Sequence, residues 1–141
     1  MASLEIVRGV PGCGKSTYAA TTGKSVINRD SIRKMLFGSE DAFGVDEELV
    51  TEIQNTLLKH YLSKDYDVIV DNTNIEWQHV KALAAIAHQY GADVKITVLD
   101  VGLEEALRRN ADRATLGGRF VPVSVIENMY ERLEKTKGWA L

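Results

Sequence analysis

Gly9-Val10-Pro11-Gly12-Cys13-Gly14-Lys15-Ser16-Thr17 carries the spacing G-x-x-x-x-G-K-[ST], in which a glycine-rich turn cradles phosphate groups. Its flanks give the spacing force. Leu4-Glu5-Ile6-Val7 before it reads as a strand, and Ser16-Thr17-Tyr18-Ala19-Ala20 after it starts a helix. Gly9, Gly12 and Gly14 permit backbone angles that a Cβ forbids. The chain can then curl and aim several N–H groups at one point, backed by a helix N-terminus. Pro11, Cys13 and Thr17 belong to the same cradle. Lys15 adds a mobile cation for the β- and γ-phosphates, and Ser16 offers a hydroxyl to the Mg²⁺ they carry. The alternative is an ordinary glycine turn ahead of a helix; motif and context together favour the phosphate site.

The bulk properties set bounds on what surrounds this loop. At 141 residues, 45% hydrophobic and 26% charged, the chain has the balance of one globular domain, and residues 1–141 are read as one. A formal net charge of −3 supplies no global basic field, so a polyanion would need a local basic patch. The single cysteine, Cys13, excludes an intramolecular disulfide and suits a reducing cytoplasm. The longest wholly apolar run, Ala82 to Ala87, is too short for a bilayer. Met1 runs directly into the first strand without a signal-peptide pattern. The expected location is therefore cytoplasmic (host cytoplasm if the chain is phage-encoded), with no membrane partner.

Hydrophobic periodicity orders the rest. Strands are expected at Leu4 to Arg8, Ser25 to Asn28, Asp67 to Asp71 and Val94 to Asp100. Between them lie helices from Lys15 to Thr22, near Ile32 to Phe37, from Asp46 to Ser63 and from Glu76 to Tyr90, the last capped by Asn74. In the longest helix the buried stripe is read as Leu49, Ile53, Leu57 and Tyr61, widened by Val50 and Leu58. The fourth is expected to bury Val80, Leu83, Ala87 and Tyr90. Ser39 to Val45 reads as a loop. A helix from Leu103 to Arg113 precedes a mobile segment, Ala114 to Val121, containing Gly117-Gly118. Pro122 then opens a last helix with Val125, Met129 and Leu133 on one face. Strands alternating with helices make this an α/β protein: a three-layer α/β/α sandwich around a short, mainly parallel sheet of about four strands. An arginine-bearing lid is expected over about residues 108 to 121. Ligands of such sheets sit beyond the C-terminal strand ends, where the glycine loop, Asp30, Asp71 and Asn72 would gather.

The charged residues admit two readings each. Asp71 ends an apolar strand and would hold Mg²⁺ with Ser16, directly or through water; alone, it would simply mark an exposed strand end. Arg109 and Arg113 share a helix face at i,i+4 and could fork onto donor phosphates, an effect worth roughly three to five decades in rate. Together with Arg108 they could equally form a solvated face paired to Glu104 and Glu105. Asp30 could accept the proton of an attacking hydroxyl, or cap the helix starting at Ser31 or Ile32; spacing does not separate the two.

Several stretches in order resemble the phage-type polynucleotide 5′-kinase family, the P-loop kinase domains of nucleic-acid end-repair enzymes. They are Gly9 to Thr17, Ile27-Asn28-Arg29-Asp30 with Arg33, and Asp71-Asn72-Thr73-Asn74. Leu99-Asp100-Val101, Arg109-Asn110 with Arg113, and Val121-Pro122 with Val125, Met129 and Tyr130 complete the set. The resemblance implies Mg²⁺-dependent transfer of the γ-phosphate of ATP, or another NTP, to the 5′-hydroxyl of DNA or RNA. It implies Asp30 as general base and Arg33 on the phosphate just 3′ of the acceptor nucleoside. Lys15 and Arg113 would contact the donor phosphates, with Arg109 in support, and Ser16 would bind Mg²⁺. Asn72 would lie at the acceptor, where some members carry aspartate. The segment between Arg113 and Pro122, with Arg119, is longer than in the phage enzyme. Any phosphatase or ligase partner would be a separate chain, since Asp65-Tyr66-Asp67-Val68 precedes a strand instead of following one and does not make a phosphatase motif.

Two other readings stay open on the same loop. One is a kinase for a small metabolite, nucleoside or antibiotic. The other is a nucleotide switch, against which count the missing N-K-x-D stretch and the missing D-x-x-G after the third strand. Cys13, near a helix N-terminus, is expected to have a lowered thiol pKa or merely to fill a permissive position. His60, His79 and His88 show no metal-ligand spacing. Trp77 is expected to pack its helix and Trp139 to lie near a loose terminus.

Overall fold

The computed structural model describes residues 2–39 and 45–141, so most of the loop expected over Ser39 to Val45 lies outside the described residues. Four strands, β1 (Ser3–Arg8), β2 (Ser25–Ile27), β3 (Val68–Asp71) and β4 (Asp93–Val98), form one sheet in the order β2-β3-β1-β4. Every pairing is parallel. The helices between and after them are α1 (Lys15–Thr21), α2 (Arg29–Phe37), α3 (Glu47–Ser63), α4 (Trp77–Gln89), α5 (Leu103–Thr115) and α6 (Val123–Thr136).

The layers follow from side-chain alternation along the central strands. Leu4, Ile6, Val68 and Val70 point into the main core with Val50 and Leu58 of α3 and Val80, Leu83, Ala84 and Ala87 of α4. Val7 and Ile69 point the other way, onto Ala19 and Tyr18 of α1. A strand covered on both faces is buried throughout, and β3 is. A separate cluster at the C-terminal ends of the strands joins Val10 and Cys13 to Ala106 of α5 and Ile126 and Leu133 of α6. The three-layer α/β/α sandwich is therefore present as expected.

Several helix faces and caps differ from the expectation. The buried row of α3 is Val50, Gln54, Leu58 and Leu62. Ile53, Leu57 and Tyr61 pack only at its margin, because α3 touches both the sheet and α4 and its apolar face is wider than one stripe. Asn74 does not cap α4. Glu76 stands at that position, and Asn74 is buried at φ 48°, its amide donating to the Val7 carbonyl at 2.7 Å. Tyr90 lies beyond the helix and is exposed. In α6, Ile126 is the fully buried residue while Val125 is exposed. Trp139 is exposed, and its ring meets Trp77 edge-on, with centroids 5.6 Å apart.

Two buried charges sit on β1. Arg8 has no exposed surface. Its guanidinium donates to the carbonyls of Asn74 (2.9 Å), Ile75 (2.9 Å) and Thr136 (3.1 Å) and to the Thr136 hydroxyl (2.8 Å), and it lies 5.3 Å from the Trp77 ring centroid. Glu5 faces α1. Burial raises its pKa, but hydrogen bonds from Lys24, Thr97 and Tyr18 outweigh that and hold the carboxyl at about 2.

These features predict two measurable effects. Arg8→Ala leaves buried carbonyls without a donor, so stability should fall by about 3 kcal/mol or more, read as a lower urea midpoint. Because the folded pKa of Glu5 lies below its unfolded value near 4.5, its stabilisation is complete above pH 4.5 and is lost as pH falls through about 2. Glu5→Gln should therefore flatten the stability profile below pH 4.5 while leaving a lower plateau at neutral pH.

Candidate nucleotide and acceptor site

The loop leaving β1 turns through Gly12 at φ 87° and Gly14 at φ 93°. Glycine is required at Gly12 for a second reason: a Cβ there would stand 2.6 Å from the Ala106 carbonyl oxygen, so α5 rests directly on the loop backbone. At Gly9 a Cβ would strike the Cys13 sulfur at 2.4 Å. No side chain caps α1 at Gly14, which leaves its first N–H groups facing outward.

A cavity of about 820 Å³ opens over this loop. Its floor is Pro11, Gly12, Gly14, Lys15, Ser16 and Thr17; Asp30, Arg33, Asp71 and Asn72 form one side, and Arg109, Arg113 and Arg119 another. Phe120, Val125 and Met129 add an apolar wall. Of the residues singled out from the sequence, Gly9 and Cys13 do not line it. Gly9 donates its N–H to the Thr73 carbonyl at 3.0 Å. Cys13 is buried, and burial pushes its thiol pKa up, not down; desolvation by the α5 and α6 side chains outweighs the neighbouring lysine. Arg108 turns to solvent, paired with Glu105 and Asp112, so the solvated-face reading holds for it. Arg109 and Arg113 reach the cavity, Arg109 while also bonded to Glu105.

Asp71 and Ser16 fit a magnesium site. The Ser16 hydroxyl donates to Asp71 Oδ2 at 3.1 Å. Asp71 Oδ1 is buried and finds no hydrogen-bond partner among the described residues. Burial raises the pKa of this carboxyl, which a bound cation would reverse. One hydroxyl and one carboxylate beside a phosphate loop are the ligands Mg²⁺ takes when phosphates and waters complete its shell.

Asp30 does not cap α2. Asn28 does, accepting from the Ser31 N–H at 2.9 Å. The Asn28 amide also donates to the Asp71 carbonyl at 2.5 Å, which fixes the start of α2 to the end of β3. Asp30 is thereby freed for the cavity. Its Oδ1 accepts from Arg33 and its Oδ2 from Arg119, both at 2.7 Å. Arg33 is in turn forked onto Glu47 at 2.9 and 2.5 Å, and that pairing holds the Glu47 carboxyl at about 2. Asn72 lines the cavity with its amide already engaged, accepting from the Arg29 N–H at 2.9 Å and donating to Gln54 at 2.9 Å. Glu47 and Gln54 carried no motif; their roles arise only when α3 packs beside α2.

A phosphate loop, a magnesium-fitting carboxylate and cavity-facing arginines on a parallel α/β/α sheet define the P-loop kinase class. Comparison with known proteins agrees. A family profile described as an AAA domain (AAA_33) matches residues 4–136, and the chain belongs to that family. It is 30% identical over 138 residues to the L-seryl-tRNA(Sec) kinase of Methanococcus maripaludis, covering 93% of this chain and 52% of that protein. It is 30% identical over 125 residues to a protein of Autographa californica nuclear polyhedrosis virus provisionally named a bifunctional polynucleotide kinase/RNA ligase, covering 79% of this chain and 18% of that one. Among solved structures, a chain of the Pnkp1/Rnl/Hen1 RNA repair complex superposes with a TM-score of 0.86 at 31% identity, over 96% of this chain and 45% of that chain. The resemblance to polynucleotide kinase domains thus stands. The chain spans about half the length of the archaeal relative and less of the viral one. No helix among the described residues is long and apolar enough to cross a membrane.

Burial of Cys13 has a direct chemical consequence. Alkylation by iodoacetamide at pH 7.5 should run at least about tenfold slower in the folded chain than in denaturant. A native rate equal to the denatured rate would show the thiol to be accessible.

Proposed function

We propose that the chain transfers the γ-phosphate of ATP to a 5′-hydroxyl end of DNA or RNA. The observation that carries this reading is that Asp30, Arg33 and the phosphate loop line one cavity. The loop N–H groups and Lys15 would take the β- and γ-phosphates, with Arg109 and Arg113 on the donor side. Ser16 and Asp71 would hold Mg²⁺, which when bound offsets phosphate charge. The acceptor oxygen bonds to the γ-phosphorus as the bond to the β–γ bridging oxygen breaks; ADP leaves, and the hydroxyl proton passes to Asp30. Such a transition state is loose, so the residues act mainly by positioning and charge stabilisation. Arg33 would hold the phosphate next to the acceptor nucleoside, and Asn72 would steady the acceptor wall. The polynucleotide kinase names among the relatives support this reading, as does the RNA repair assembly; partner chains with phosphatase or ligase activity fit it.

A second reading keeps the donor half and changes the acceptor. The archaeal relative, whose name makes L-seryl-tRNA(Sec) its substrate, supports an alcohol other than a nucleic-acid 5′ end as acceptor, there a seryl hydroxyl carried on a tRNA.

Labelled ATP and Mg²⁺ with 5′-hydroxyl DNA and RNA oligonucleotides, nucleosides and small alcohols should place label on the oligonucleotide ends. Label on the small alcohols alone would select the second reading. Asp30→Ala should lower transfer by about three decades while nucleotide binding persists.

A further inference from the structure

We propose that Arg119 is a donor-phosphate-binding residue that is parked on Asp30 while the site lacks nucleotide, so that seating the donor and uncovering Asp30 are one event. This rests on the reading of Asp30 as the group that meets the acceptor hydroxyl.

Arg119 lies outside any helix, in the connection between α5 and α6, and reaches 89 positions back along the chain to Asp30. With Arg33 on Oδ1 and Arg119 on Oδ2, an arginine already sits on each oxygen of the Asp30 carboxylate, where an incoming hydroxyl must bond. The pair also stands where two cavities meet. Asp30 and Arg119 line both the cavity of about 820 Å³ and a second of about 330 Å³ reaching toward Ala19, Ala20 and Val26.

The connection ties this pair to the donor side. The Arg113 Nε donates to the Arg119 carbonyl at 3.0 Å, and the Gly118 N–H donates to the Arg113 carbonyl at 2.8 Å. A Cβ at Gly118 would lie 2.6 Å from Arg113 Cγ, so the backbone folds tightly against that side chain. Arg113 and Arg119 therefore move as a unit: when Arg113 turns onto donor phosphates, the Arg119 backbone goes with it. A triphosphate offers a guanidinium several oxygens in bidentate geometry, where Asp30 offers it one. Donor binding can shift the arrangement only through that difference in affinity, and reciprocity follows: whatever weakens the parked state must tighten the donor.

The test measures the dissociation constant of a non-hydrolysable ATP analogue with Mg²⁺, by calorimetry, for the wild type, Asp30→Asn, Arg119→Gln and the double variant. Asp30→Asn weakens the hold on Arg119 and should tighten the analogue about fivefold or more. Arg119→Gln should weaken it by a similar factor, and the double variant should match Arg119→Gln within about twofold. Asp30→Ser replaces Asp30→Asn if the latter loses its fold. Equal tightening by Asp30→Asn in both backgrounds would mean that only a repulsive charge had been removed, and would overturn the proposal. So would wild-type affinity in Arg119→Gln. None of these readouts involves an acceptor, so a failed 5′-end transfer and a failed arginine exchange are distinct results.

Discussion

Arg8 is the constraint on which the site is hung. A guanidinium without exposed surface must have its donors met inside the protein. Burial lowers its pKa, and nearby Glu76 partly offsets this. The partners come from two parts of the chain distant from β1: the turn before α4 supplies two carbonyls, and the end of α6 supplies a carbonyl and a hydroxyl. Gly9 is the next residue, so the phosphate loop departs from a point fixed on several sides. The same turn is sewn to β1 from the other direction by Asn74 on the Val7 carbonyl and by the Gly9 N–H on Thr73. Asp71 and Asn72, just upstream, inherit that rigidity.

The side of the cavity around Asp30 is built on a different plan, as a chain of alternating charges. Arg29 and Arg33 share Glu47, Arg33 shares Asp30, and Asp30 shares Arg119. Each member is paired with an opposite charge, while three arginines against two carboxylates leave the group with a positive excess. Such pairs at partly exposed positions add little stability. Their effect is directional: Glu47 fixes the Arg33 fork, and the fork fixes one oxygen of Asp30.

The parts legible in the sequence were those encoded within a short window. The glycine loop, the apolar β3 ending in Asp71, and the strand–helix alternation all depend on neighbours close in sequence, and the parallel α/β/α fold followed from them. What escaped depends on packing between distant segments. Asp30 was one of the two readings for the cap of α2, but Asn28, held also by the Asp71 carbonyl, takes that place. The α3 stripe was offset because α3 is covered by two elements. Val125 and Ile126 are adjacent and both apolar, and periodicity alone could not decide which faces the core and which the cavity. Cys13 looked activated from its position at a helix start, but its burial depends on α5 and α6, about a hundred residues away. Glu47 and Arg119 carried no local pattern at all.

The two tryptophans of the chain meet each other beside Arg8, and neither lines the cavity over the phosphate loop. Their indole emission therefore reports the Arg8 anchor behind the phosphate loop and not the cavity itself. It registers whether the last segment is seated against the entry to α4.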